Sequence, residues 1–201
     1  MTVTEIKAIT KTRFQVYLDG ESAFVLYKGE LRRYHLEKGE ELSEEDYEEI
    51  RQNIVLKRAK LRAVHLLTDM DRTEYQLKNK LLMGGYPEDI ADQAMEYVKS
   101  FGYINDREYA RRFVENKKHV KSRRELHALL SGKGLETALI EEVLEEYCGS
   151  EDAEAAIQNI LRRKKFDPEN ASEKERQRIY ALLARKGFRY EDISRIILNG
   201  V

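Results

Sequence analysis

The chain has 201 residues, a formal net charge of −1, and 41% hydrophobic and 36% charged side chains, well above the roughly 25% charged residues of an average globular domain. That mixture supports packed cores beneath a large wetted surface. The single cysteine, Cys148, excludes an internal disulfide, and no apolar run approaches the roughly 20 residues that cross a bilayer. Met1-Thr2-Val3-Thr4-Glu5 lacks the basic, apolar and small-residue order of a signal peptide, so a cytoplasmic protein with no membrane partner is expected. With only Pro87 and Pro168 and abundant Glu, Lys, Arg, Leu and Ala, helix should dominate.

Residues 1–42 read as a β extension. Phe14, Val16 and Leu18 alternate with Gln15 and Tyr17, and Asp19-Gly20 then precedes Ala23-Phe24-Val25-Leu26-Tyr27, a hairpin signal. Lys28-Gly29 reads as another turn and Glu30 to Leu36 as a third strand of a small antiparallel sheet over residues 3–36, which should pack on helix. Ser43 with Asp46 resembles a capping box. Ile50, Ile54, Leu61, Val64 and Leu67 then mark one long helix or two joined ones ending near Thr68. The acidic residues between Glu40 and Glu49 read as a solvated helix start.

The remainder contains a repeat. Aligned on Gly85, Gly134 and Gly187, Leu77, Leu126 and Ile179 stand eight residues earlier and Leu81, Leu130 and Leu183 four earlier. Tyr86, Leu135 and Phe188 stand one later. The i, i+4 apolar pair gives each helix a buried stripe, and a glycine with φ > 0 ends it. A second helix follows each turn, carrying Ile90, Ala94 and Val98, then Ile140, Val143 and Tyr147, then Ile193, Ile196 and Ile197. Preceding helices are expected over 53–68, 106–120 and 151–163. The fold class is therefore mainly α, an elongated curved array of three-helix repeats over 43–104, 105–148 and 149–201, each unit contacting chiefly its neighbours.

Catalytic constellations are missing from the sequence. His35, His65, His119 and His127 form no metal-binding spacing, and no paired cysteines or phosphate-binding GxxxxGK[ST] loop occurs. Met83-Gly84-Gly85-Tyr86 follows a helix and reads as its end. Asp71 reads as the cap of a helix beginning at Arg72, with Asp69 closing the one before. No catalytic residue, metal or cofactor is expected. Tyr75, Tyr86, Phe101, Tyr103, Tyr109 and Phe113 could stack on bases, but Tyr86, Phe101 and Phe113 fit core positions and packing is the expectation.

Charge carries the binding signal. Residues 1–56 hold 8 basic and 12 acidic side chains, the remainder 28 and 25. Between Arg107 and Arg124, eight cations (Arg107, Arg111, Arg112, Lys117, Lys118, Lys121, Arg123 and Arg124) face only Glu108 and Glu115 in sequence. Lys and Arg grouped on a surface neutralise phosphates and release counterions. A second group comprises Arg162, Arg163, Lys164 and Lys165, followed by Lys174, Arg176, Arg178, Arg185, Lys186 and Arg189. The first four also suit a helix C-terminus. Lys57, Arg58, Lys60 and Arg62 are spread around their helix.

At these positions the chain resembles the RecX family of bacterial recombination regulators. The resemblance rests on the basic helix Leu56-Lys57-Arg58-Ala59-Lys60 to Leu67, on Glu74-x-x-Leu77-x-x-Lys80-Leu81, and on Phe101-Gly102-Tyr103-Ile104-Asn105-Asp106 with Tyr109-Ala110. It extends to Arg124-Glu125-Leu126 with Lys133-Gly134-Leu135 and to Lys186-Gly187-Phe188-x-Tyr190-x-x-Ile193, covering roughly residues 43–200. Asn105 departs from the acidic residue usual there. The resemblance implies tandem three-helix repeats that bind the RecA filament on single-stranded DNA, touching the DNA directly or through RecA, and restrain RecA. A monomer is expected. Two other readings stand beside it: a direct DNA-binding module with the hairpin as a wing, and a protein-interaction solenoid with another client.

Overall fold

The computed structural model describes residues 1–199, with side chains through residue 197. The third expected repeat runs to residue 201, and its last two residues lie outside the described residues. The chain divides into two compact units, Met1–Asn105 and Asp106–Val201.

In the first unit, β1 (Val3–Ala8), β2 (Arg13–Leu18) and β3 (Glu21–Tyr27) form an antiparallel sheet in the order β1-β2-β3. Asp19 and Gly20 take φ values of 48° and 91°, the left-handed pair that a tight hairpin requires. Val16, Leu18, Phe24 and Leu26 are buried and join the helical residues in one core.

The third strand expected at Glu30–Leu36 is not formed. Lys28–Arg33 is instead a helix, α1, and β1 completes the sheet. The reason lies at Tyr27, whose amide donates to the Glu30 carboxylate at 2.7 Å, a local bond that starts a helical turn. Glu30 also pairs with Arg58, which holds the turn against the neighbouring helix.

Ser43 caps α2 (Glu44–Glu49), accepting from the Asp46 amide at 3.0 Å. The helix continues without a break through a π-helical stretch, Ile50–Leu56, into α3 (Lys57–Asp69). That stretch changes which side chains face inward. Residues five apart lie about 140° apart around an α-helix, whereas i→i+5 bonding stacks them. Ile50 and Val55 are both buried, followed by Leu56, Ala59, Ala63 and Leu66. Leu61, expected on the apolar stripe, is 65% exposed.

The next helix, α4 (Glu74–Met83), starts later than expected. Its cap is Thr73 rather than Asp71, through reciprocal bonds of Thr73 and Gln76 at 3.2 and 3.3 Å. After α5 (Glu88–Ser100), Gly102 with φ 67° turns the chain and Ile104 takes the buried position. Phe101, expected in the core, is 57% exposed and stacks on Tyr103 with centroids 5.5 Å apart.

The second unit holds two helix triples: α6 (Asp106–Lys117), α7 (Arg123–Ser131) and α8 (Thr137–Tyr147), then α9 (Ser150–Lys164), α10 (Glu173–Lys186) and α11 (Tyr190–Asn199). Each triple has its own core, Leu126, Leu130, Ile140 and Val143 in one and Ile157, Leu183, Phe188 and Ile193 in the other. The three aligned glycines all take positive φ, 87°, 83° and 90°. In each, the amide after glycine reaches back to the helix: Tyr86 to the Leu81 carbonyl, Leu135 to Leu130 and Phe188 to Leu183, at 3.4, 3.4 and 3.2 Å. These are the turn-closing bonds of a helix that ends in a left-handed residue.

Candidate interaction surface

Within the second unit, the two triples are joined where the start of α7 meets the end of α10. Ser122 is 1% exposed, although it is a polar helix cap. Its Oγ accepts from the Glu125 amide at 3.1 Å and donates to the Lys186 carbonyl at 2.5 Å. Lys186 Nζ returns to the Glu125 carboxylate at 2.7 Å. Burial alone would raise the Glu125 carboxyl. The hydrogen bonds from Lys186 and the Ser122 amide, with the charges of Lys186 and Lys121, outweigh it and hold the group below its ordinary range. The stem of Arg124 covers Gly187 so closely that a Cβ on that glycine would lie 2.6 Å from Arg124 Cβ.

Beside this join lies a cleft of about 1000 Å³. Lys118, Lys121, Arg123, Arg124 and Arg189 line it, so both basic groups of the sequence contribute to one concavity. Phe188 and Leu144 give it an apolar floor, and Glu141, Glu145, Asp152 and Asp192 give it acidic groups as well. Cys148 lines it half-buried, and burial pushes its thiol up.

The run from Arg107 to Arg124 is far better compensated than its sequence implies. Arg107 reaches Glu142 and Glu146 on α8 at 2.8 and 2.7 Å. Arg111 is held by Glu108 and Glu115, each at 2.7 Å, and Arg112 by Glu108 at 3.2 Å. The hydrogen bonds from Arg111 hold the Glu108 carboxyl below its usual range. Lys118 pairs with Asp152 at 3.2 Å, Lys121 with Glu125 at 3.7 Å, and Arg123 with Glu145 at 2.9 Å. The neutralising carboxylates come mostly from α8 and α9, helices that a count along α6 does not reach. Their spacing at 142, 145 and 146 on one helix was the available signal.

Other cations make no ion pair among the described residues: Lys117, Arg124, Arg162, Arg163, Lys164, Lys165, Arg185 and Arg189, all exposed. Arg162, Arg163 and Lys164 occupy the last turn of α9, and Lys165 follows with φ 54°. Arg185 and Lys186 end α10. Arg162 to Lys165 do not line the cleft and form a separate patch. Among the described residues no three His, Cys, Asp or Glu side chains are placed to hold a metal ion, and no helix is long and apolar enough to cross a membrane.

Comparison with known proteins adds to this geometry. The family profile for "RecX, first three-helix domain" matches residues 59–97, and that for "RecX, third three-helix domain" matches 151–197. The "Regulatory protein RecX" of Caldanaerobacter subterraneus subsp. tengcongensis is 33% identical over 193 residues, 96% of this chain and 95% of that one. Proteins of the same name from Bacillus velezensis and Listeria monocytogenes are 29% and 28% identical, over 96% and 95% of this chain and 74% and 72% of theirs. A solved structure titled "Crystal structure of regulatory protein RecX" shares the fold with a TM-score of 0.64 at 24% identity, covering 98% of both chains. One of RecX from Lactobacillus salivarius does so with a TM-score of 0.60 at 22% identity, over 72% of this chain and 95% of that one. With helix triples that match the first and third RecX domains and a full-length relative at one-third identity, the chain belongs to the RecX family of regulatory proteins.

Proposed function

We propose that this chain is a non-enzymatic regulator that binds the RecA filament on single-stranded DNA and slows its ATP turnover. Family membership supports the partner. The distribution of compensated and uncompensated cations supports the mode of contact. The cleft between the α7 and α10 ends presents both signs of charge around an apolar floor, which suits a polypeptide surface of mixed charge. The exposed cations Arg162, Arg163, Lys164, Lys165, Arg185 and Arg189 carry no intramolecular carboxylate among the described residues and suit phosphates. The Arg107–Lys118 face contributes less, because phosphate must displace carboxylates already bound to it.

The observation carrying this reading is the concentration of unpaired cations in the third triple. The test is ATP hydrolysis by RecA on single-stranded DNA, titrated with wild type, with a charge reversal of Arg162, Arg163, Arg185 and Arg189, and with one of Arg111, Arg112, Lys117 and Lys118. Wild type should inhibit, the third-triple variant should lose most of that effect, and the α6 variant should retain more of it. Unchanged hydrolysis at saturating wild type would remove RecA as the target. Greater loss in the α6 variant would move the contact there.

A further inference from the structure

The first compact unit contains a cationic pocket of its own, of about 300 Å³, where the sheet meets the turn after α4. Arg13 from β2, Arg58 and Arg62 from α3 and Lys80 from α4 line it with Tyr27 and Tyr86, and no acidic residue does. Two of the cations are committed to the fold. Arg13 Nη2 donates to the Gly84 carbonyl at 2.8 Å, and Arg58 Nη1 to the Val25 carbonyl at 3.0 Å. Arg58 also pairs with Glu30 and lies over the Tyr27 ring, 4.5 Å from its centroid. Neither bond explains Arg62 and Lys80, whose side chains make no hydrogen bond or ion pair among the described residues. The half-buried Tyr86 hydroxyl also has no hydrogen-bond partner there. Burial pushes its phenol up against the opposing charges of Arg58, Arg13 and Arg62, which line the same pocket.

Like charges around a partly enclosed space repel one another and raise the local potential for an anion. A planar carboxylate is satisfied by one guanidinium fork, whereas donors from several directions suit a tetrahedral oxyanion. We propose that this pocket binds a phosphate group, gripped by Arg62 and Lys80 at its mouth with the Tyr86 hydroxyl as a neutral donor. Its volume sits at the bottom of the roughly 300–1,000 Å³ range of ligand pockets, enough for a phosphate and little more than its ester substituent. A nucleotide monoester and a nucleic-acid diester share this chemistry. The site belongs to the first unit, and the cations assigned to the regulatory contact belong to the second.

Calorimetric titration of the full chain at fixed ionic strength tests it, using inorganic phosphate, dTMP and an unphosphorylated short oligothymidine as probes. Saturable binding of phosphate and dTMP identifies a monoester site, and binding of the oligothymidine alone identifies a diester site. In either case Arg62→Glu with Lys80→Glu should weaken binding about tenfold or more, and Tyr86→Phe by a smaller factor. Arg62→Ala with Lys80→Ala, at the same exposed positions, gives a second variant that keeps the fold. Reversal of Arg162, Arg163, Arg185 and Arg189 should leave phosphate affinity unchanged, which separates this site from the regulatory one. No saturable binding by any probe, equal affinity in both Arg62/Lys80 variants and wild type, or tighter binding of an oligoglutamate than of phosphate would overturn the proposal.

Discussion

Replacing Ser122 by alanine isolates the energy of the join inside the second unit, because an equivalent residue offers a matched control. Ser122 and Ser172 both cap helices, accepting from the third amide of α7 and α10 at 3.1 and 3.3 Å. Loss of such a cap costs about 1 kcal/mol. The exposed Ser172 hydroxyl donates within its own cap, to the Glu175 carboxylate at 2.6 Å, where water readily replaces the bond, whereas Ser122 is buried and reaches another triple, donating to the Lys186 carbonyl at 2.5 Å. A net hydrogen bond contributes about 1 kcal/mol more. Ser122→Ala should therefore destabilise by about 2 kcal/mol and Ser172→Ala by about 1 kcal/mol. Native-state hydrogen exchange reads the difference directly. The slowest amides of α10 should open about fivefold more often in Ser122→Ala than in Ser172→Ala. Equal effects of the two substitutions would refute the claim that this bond holds the triples together.

Three further outcomes follow from the geometry. Gly85→Ala should lower the melting temperature more than Gly39→Ala: both glycines have positive φ, but only at Gly85 would a Cβ meet Val25 Cγ2, at 2.9 Å. About 1 kcal/mol of left-handed strain is common to both, and the contact should add a further ~1 kcal/mol or more at Gly85. The Glu125 carboxyl is held below its ordinary value of 4.5, so its contribution to stability is complete above that pH and fades as pH falls through the lowered folded value. Acid unfolding of Glu125→Gln, followed by circular dichroism, should lack that component. Raised by burial first and then by the charge of Asp152, Cys148 should alkylate with iodoacetamide at neutral pH more slowly than free cysteine. An equal rate would place the thiol in open solvent.

Local chemistry made the repeats legible. Leu81, Leu130 and Leu183 with their glycines carry both a stripe and its stop signal within eight residues, so neither needed tertiary information. The Asp19-Gly20 hairpin was readable for the same reason. Where the structure departs from the local pattern, contacts distant in sequence or a change of backbone winding decide it. Glu30 became helical rather than extended because its carboxylate closes on the Tyr27 amide and pairs with Arg58, 28 residues away. Phe101 lies outside the core because the Gly102 turn gives the inward position to Ile104. The α6 cations looked unbalanced because Glu142, Glu146 and Asp152 approach only after folding. Leu61 lies off the buried face because an α-helical apolar period does not carry through the π-helical Ile50–Leu56 stretch.

That segment has a consequence for how the first unit tolerates change. One uninterrupted rod passes under the sheet and then into the first helix triple, and Ile50–Leu56 is where it touches both β3 and α5. Its wider winding acts as a phase adjuster, letting the two ends of the rod present differently clocked faces to two layers. Removing one residue between Ile50 and Leu56 would turn α3 by about 100° relative to α2, setting the sheet and the triple against each other. Additions around Gly39 leave that phase untouched and disturb only the backbone pairing of Gly39 and Glu40 with Val3, at 2.8 and 2.9 Å. A change of length should therefore cost more within the rod than before it, where it breaks a local pairing and leaves the clocking of the two layers intact.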